Sequence, residues 1–243
     1  MEKIFKITMS LKIIIESIKK KNINLIAVDG ISCSGKSVFS ALIKKKIKDK
    51  FPNTLILSKD LFLFSRKKRI KITKTLKNKT TKQNILHYDL KKLSMILNFL
   101  LRKSIKKKIT LKNLYNRKTG KNDLSVSFRF SNHRLIIFEG ILVSDDLKKE
   151  NIKPDKNILI YSDLHSAMLQ KIKRIRDKKI SIQDVITEFI NIHIASFKAH
   201  LYKQNFDICF LHQNDQKFLK LPNGRLKQIK NIKIFYKKYN FNL

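Results

Sequence analysis

The sequence predicts an α/β fold, a mainly parallel sheet with helices on both faces. Three observations carry that prediction. Short apolar runs that read as buried strands alternate with segments of helical periodicity. The first such run is followed by Gly30-Ile31-Ser32-Cys33-Ser34-Gly35-Lys36-Ser37, which fits the phosphate-binding pattern G-x-x-x-x-G-K-[ST]. Two later apolar runs end in a carboxylate, Asp60 and Glu139, where ligands sit in open parallel sheets.

The glycine loop has the context its chemistry needs. Ile23-Asn24-Leu25-Ile26-Ala27-Val28-Asp29 before it reads as a strand, and Val38-Phe39-Ser40-Ala41-Leu42-Ile43 after it as a helix ending in lysines. Glycines let backbone N–H groups turn around an anion, and the helix N-terminus adds partial positive charge. Gly30, Ser32, Cys33, Ser34, Gly35, Lys36, Ser37 and Val38 are therefore the expected nucleotide-binding residues. Lys36 would reach the outer phosphates, and the Ser37 hydroxyl would hold Mg²⁺. With only five glycines in 243 residues, a chance match is rare.

Composition bounds the partners. There are 55 Lys and Arg against 18 Asp and Glu, a formal net charge of +37. Such charge suits a polyanion partner, and non-specific nucleic-acid binding at low salt needs nothing more. The lysines are nevertheless spread along the whole chain, together with abundant Ile and Asn, which points to compositional drift more than to a selected surface. Two distant cysteines form no disulfide framework and suggest a reducing cytosol. No apolar run approaches the roughly 20 residues of a membrane span, so a soluble, cytoplasmic protein without a membrane partner is expected.

The chain divides into an N-terminal amphipathic helix (1–21), a nucleotide-binding domain (22–212) and a basic aromatic tail (213–243). Leu11, Ile14, Ile15 and Ile18 give the first helix a stripe for packing on the sheet. Thr54-Leu55-Ile56-Leu57-Ser58 is a second strand, with Asp60 just past it. Residues 62–84 lack apolar periodicity and read as a mobile loop over the site. Leu90, Leu93, Ile96, Leu97 and Leu100 mark a helix with Asp89 as its cap. Residues 109–130 read as a strand pair or an irregular arm. Strands follow at Leu135-Ile136-Ile137-Phe138, at 157–163 and at 206–211, with helices over 165–179 and 182–201. The tail aromatics could stack on single strands, though an edge strand or loosely packed tail fits them better.

With these residues placed, the chain from about Asn22 to Leu211 resembles the uridine kinase and phosphoribulokinase family of P-loop kinases. The likeness rests on ordered landmarks: Val28-Asp29-Gly30 with Ser34-Gly35-Lys36-Ser37, Leu57-Ser58-Lys59-Asp60-Leu61-Phe62, Tyr88-Asp89-Leu90, Leu114-Tyr115-Asn116-Arg117-Lys118-Thr119-Gly120, Ile137-Phe138-Glu139-Gly140-Ile141-Leu142 and Lys173-Arg174-Ile175-Arg176-Asp177. The resemblance implies a small substrate arm and a lid, which here is short: Asp177-Lys178-Lys179-Ile180-Ser181 lacks the family's further arginine-glycine pair. It implies ATP and Mg²⁺ as cofactors and a small-molecule hydroxyl acceptor, with uridine or cytidine first. Asp60 would act as base or orienting carboxylate. Glu139 would help hold Mg²⁺. Arg176, with Lys173 or Arg174, would close on the transferred group, and Tyr115 would contact the acceptor. The acceptor side departs from the family. Gln83-Asn84-Ile85-Leu86-His87 lacks the acid that grips ribose hydroxyls, and Lys118-Thr119-Gly120 stands where a His is usual. A sugar acid, ribulose phosphate or pantothenate-like compound is the rival acceptor, and a P-loop protein kept mainly for nucleic-acid binding is the rival class. Cys33 reads as a small residue tolerated in the loop, with a reactive thiol as the alternative.

Overall fold

The computed structural model describes residues 12, 14–18, 23–75, 86–101, 108–129, 135–162, 164–175, 181–190, 206–212 and 218–221. Eight strands are present among them: β1 (Leu25–Asp29), β2 (Leu55–Ser58), β3 (Lys108–Leu114), β4 (Leu124–Arg129), β5 (Ile136–Gly140), β6 (Lys156–Ser162), β7 (Ile208–His212) and β8 (Phe218–Leu221). Besides the helical residues 14–18, six helices accompany them: α1 (Lys36–Lys46), α2 (Arg66–Thr75), α3 (Leu90–Leu101), α4 (Val143–Lys149), α5 (Leu164–Ile175) and α6 (Ile182–Glu188).

The main sheet runs β2-β5-β1-β6-β7-β8, with β3 and β4 forming a separate hairpin. The first five strands are parallel, and β8 closes one edge antiparallel to β7. β1 lies between β5 and β6; the chain leaves β1 for β2 on one side and leaves β5 for β6 on the other, so the order reverses beside β1. The crevice at its carboxyl end is where a parallel sheet binds ligands.

Alternation along the strands builds two cores. Ile26 and Val28 of β1 and Ile137 of β5 face Phe39, Ile43 and Ile47 of the α1 segment. Leu25, Ala27, Ile136 and Phe138 face the other way, onto Leu93, Leu97 and Leu100 of α3 and Val143 and Leu147 of α4. Successive side chains of a strand point to opposite faces, so one apolar run serves both layers. A third cluster packs Ile31 and Leu159 under Leu164, Ala167 and Met168 of α5.

Residues 14–18 are helical, with Ile14 and Ile18 buried in the first core, as the packing reading expects. Asp89 caps α3, its Oδ1 accepting from the Lys92 amide at 3.0 Å. Of the 109–130 segment, the described residues to 129 form a hairpin, β3 pairing antiparallel with β4. One expectation fails. Residues 62–75 are not simply a loop, since Lys59–Phe62 is a 3₁₀ turn and Arg66–Thr75 is a helix, and 76–84 lie outside the described residues. No residue of α2 is buried, which is why apolar periodicity did not reveal it. Polar tethers hold it instead. Arg69 Nε donates to the Phe64 carbonyl (3.0 Å), and Thr73 Oγ1 lies 3.1 Å from His87 Nε2. Part of the segment read as tail is the edge strand β8. No helix of the described residues is long and apolar enough to cross a membrane.

Candidate active site

The glycine loop leaves the end of β1 and enters α1 through two residues in the left-handed region, Cys33 (φ 63°) and Gly35 (φ 92°). Gly35 tolerates that conformation without steric cost. Gly30 is required for a different reason. A Cβ there would lie 2.4 Å from the Ile160 carbonyl oxygen and 2.5 Å from Ser34 Oγ. The loop passes too close to β6 for any side chain.

Lys36 is buried, and its Nζ donates to the Ile31 carbonyl at 2.6 Å, folded back on its own loop. Burial pushes its pKa down, opposed by the carboxylates of Glu139, Asp60 and Asp29. Ser34 Oγ is buried and has no hydrogen-bond partner among the described residues. Ser37 Oγ donates to Glu139 Oε1 at 3.3 Å. β1 and β5 pair in register at Val28 and Glu139, and β2 and β5 at Ser58 and Glu139. The sheet thus delivers Glu139 and the turn holding Asp60 side by side, opposite the loop. Ser32, Cys33, Ser34, Gly35, Lys36, Ser37, Val38, Asp60, Glu139 and Arg174 line one cleft. The α1 N-terminus, an orphaned hydroxyl, a lysine parked on a carbonyl and a hydroxyl–carboxylate pair fit a nucleotide phosphate and a hard cation with oxygen ligands.

Asp60 lies in the 3₁₀ turn after β2 and is held from two sides. Tyr88 Oη donates to Oδ1 at 3.3 Å, and the Arg117 guanidinium pairs with Oδ2. Burial, then the Asp60 charge, pushes the Tyr88 pKa well above its usual value, so the phenol remains a donor. The next residue back, Lys59, is buried against Asp146 and donates to the Ile141 carbonyl at 2.9 Å. At the foot of the loop, Asp29 accepts from the amides of Val143 and Ser144, both at 2.9 Å, and ties β1 to α4. Burial raises the Asp29 pKa, against the lowering effect of the Ser144 hydroxyl and the two amides.

The remaining expected residues fall differently. Tyr115 is buried, and its hydroxyl accepts from Arg69 Nη2 at 2.7 Å, with the guanidinium 4.9 Å from the ring centroid. Lys173 is exposed in the last turn of α5 beside Arg174. Arg176 lies outside the described residues. Sequence reasoning assigned no role to Arg117, Tyr88, Arg69 or Asp29. Their partners come from distant segments, and no local spacing marks them.

No family model matches the chain, and no curated protein matches it. Solved structures do. A possible uridine kinase from Bacillus stearothermophilus superposes with TM-score 0.59 at 18% identity, over 86% of this chain and 99% of that one. A candidate fructose transport system kinase from Silicibacter gives 0.59 at 14%, over 82% and 98%. The D-glycerate 3-kinase from Cryptococcus neoformans gives 0.56 at 14%, over 82% and 90%. The chain therefore has the α/β P-loop NTPase fold. More particularly, it has the arrangement found in uridine kinase-like structures, so the resemblance read from its motifs holds at the level of fold.

Proposed function

We propose that this protein is an ATP- and Mg²⁺-dependent kinase that transfers the γ-phosphoryl group of ATP to a hydroxyl of a small molecule. One observation carries the reading. Asp60 and Glu139, at the ends of the adjacent strands β2 and β5, share one cleft with Lys36 and Ser37 of the glycine loop. A phosphate loop alone would serve many nucleotide-binding proteins; two strand-end carboxylates opposite it suit phosphoryl transfer.

Bound Mg-ATP supplies the transferable group and a cation to neutralise its charge. The rest falls to the chain. Lys36 exchanges the Ile31 carbonyl for a phosphate oxygen, and the Ser34 hydroxyl gains a partner. Ser37 and Glu139 hold the cation. Asp60 orients the acceptor hydroxyl and takes its proton. Arg174, from the last turn of α5, lines the cleft and offsets developing negative charge, with Lys173 and Arg176 as the other lid cations. Tyr115 backs the acceptor side through Arg69.

Uridine and cytidine are the acceptors that the motif resemblance implies. A sugar acid, a ribulose phosphate or a pantothenate-like compound is the alternative. The rival class, a P-loop protein kept for nucleic-acid binding, draws on the +37 charge and on α2, which carries Arg66, Lys67, Lys68, Arg69, Lys71 and Lys74 without an acid. Bulk charge of that kind gives binding at low salt that fades near physiological salt and does not respond to ATP.

ADP release from Mg-ATP, measured over a panel of nucleosides and other small hydroxyl compounds, tests the proposal. Stimulation by at least one acceptor is expected, with Asp60→Asn lowering turnover by about 10²–10⁴-fold. No stimulation by any acceptor while ATP still binds would favour the nucleic-acid reading.

A further inference from the structure

We propose that Arg117 is the acceptor-specificity residue, and that it selects a hydroxyl compound bearing a carboxylate or phosphate near the reacting hydroxyl. The inference rests on the kinase reading and narrows it to an acceptor class.

Arg117 is placed with care for so exposed a residue. It sits in the turn between β3 and β4, which is tied internally. The Gly120 amide donates to the Asn116 carbonyl and the Asn116 amide to the Lys121 carbonyl, both at 2.8 Å. The turn is also docked onto the segment that carries Asp60. The Tyr115 amide donates to the Leu61 carbonyl at 2.8 Å, and the Arg66 amide to the Gly120 carbonyl at 2.8 Å. Asn122 Nδ2 donates to the Leu63 carbonyl at 2.8 Å. The arm is thereby fixed so that the guanidinium meets Asp60 while the side chain stays 70% exposed. A guanidinium carries five N–H donors, and one carboxylate does not exhaust them.

The charges of the cleft decide what those donors are for. Its carboxylates, among the described lining residues, are Asp60 and Glu139. Glu139 is engaged by Ser37 on the phosphate side, and both oxygens of Asp60 are engaged, by Tyr88 and by Arg117. A neutral diol is best gripped by a carboxylate with no cationic partner, and Asp60 already pairs with the Arg117 guanidinium. A guanidinium fork matches a carboxylate or phosphate. The charges also couple selection to reaction. Asp60 must turn from the guanidinium toward the acceptor hydroxyl to take its proton. An anionic acceptor gives Arg117 a replacement partner as it leaves Asp60; a neutral one leaves its charge without a partner.

The test is equilibrium binding by titration calorimetry to the full-length protein, with Mg²⁺ and a non-hydrolysable ATP analogue filling the glycine loop. The probes are matched pairs, D-glycerate against glycerol and D-ribulose 5-phosphate against D-ribulose, so that carboxylate and phosphate are read separately. At least one charged member should bind, and its neutral partner about 10-fold or more weakly. Arg117→Gln should weaken the charged member about 10- to 100-fold and leave the neutral one within a few-fold, with Arg117→Lys between. The inference is overturned if no charged member binds, if the neutral members bind as well, or if Arg117→Gln changes nothing. ADP formation separates this from the kinase reading. Charge-selective binding without turnover would sink the kinase and keep the selectivity. Turnover of uridine or glycerol, indifferent to Arg117→Gln, would do the reverse.

Discussion

The Lys59 ammonium lies 2.6 Å from the Asp146 carboxylate, with both side chains almost wholly buried. This pair joins the 3₁₀ turn after β2 to α4, and it sits against the end of β5, where a Cβ on Gly140 would meet Lys59 Cβ at 2.6 Å. Asp60 follows Lys59 directly, so the ion pair sets the position of the proposed base without touching the substrate. Burial raises the Asp146 pKa, and Lys59 opposes that rise.

Removing one partner should be worse than removing both. Asp146→Ala leaves a buried ammonium uncompensated and should cost about 3–5 kcal/mol. A Lys59→Met, Asp146→Leu double variant should recover most of that loss. Urea unfolding of the two variants measures it. A double variant no more stable than Asp146→Ala would show that the uncompensated ammonium is not the source of the loss.

Gly30→Ala tests the loop's close approach to β6. The added methyl meets the Ile160 carbonyl and Ser34 Oγ well inside van der Waals contact. Overpacking of this kind costs about 1–3 kcal/mol, and the loop should shift away from its anion-binding shape. Thermal unfolding and ATP titration should both register the change. Unchanged nucleotide affinity would mean that the loop relaxes without functional effect.

Glu139→Gln keeps the volume and removes the charge beside Ser37. If Glu139 serves the metal, the Mg²⁺ concentration for half-maximal activity should rise about 10- to 100-fold. The melting temperature should barely move. A loss of activity that added Mg²⁺ leaves untouched would place Glu139 in a different role.

Asp29 gives a pH signature. Its carboxyl pKa is raised above the ordinary 3.8 by burial. The folded state therefore holds that proton more tightly than the unfolded chain. The stability it contributes is complete below about 3.8 and is lost as pH rises through the raised folded value. Relative to Asp29→Asn, which cannot titrate, the wild type should lose stability as pH rises across that window. Urea unfolding of both proteins from pH 4 to pH 8 gives the difference directly. A constant difference would mean that the Ser144 hydroxyl and the amides of Val143 and Ser144 have cancelled the effect of burial.

Much of the site was legible in order along the chain. The loop from Ser32 to Ser37, Asp60, Glu139 and Arg174 all line one cleft, while Gly30 lies beneath it against β6. Each is marked locally, by glycine spacing, by a place just past an apolar strand or by a basic helix end. What hid was of two kinds. α2 buries no side chain, so the hydrophobic effect leaves no periodic trace of it in the sequence. The partners of Asp60 come from residues 88 and 117, and a pairing across 57 residues has no spacing rule.

The sequence by itself determined the layered sheet, because apolar runs of strand length must be covered on both faces, and it determined the phosphate loop, because glycines and a lysine at fixed spacing are a local device. Tertiary structure alone decided which carboxylates are free to act. Asp29, Asp60 and Asp146 are the same residue type. Folding ties the first to the amides of α4, sets the second at the cleft under Arg117 and buries the third on Lys59. Charge and burial belong to the assembled surroundings of a side chain, and those surroundings are assembled across the sheet.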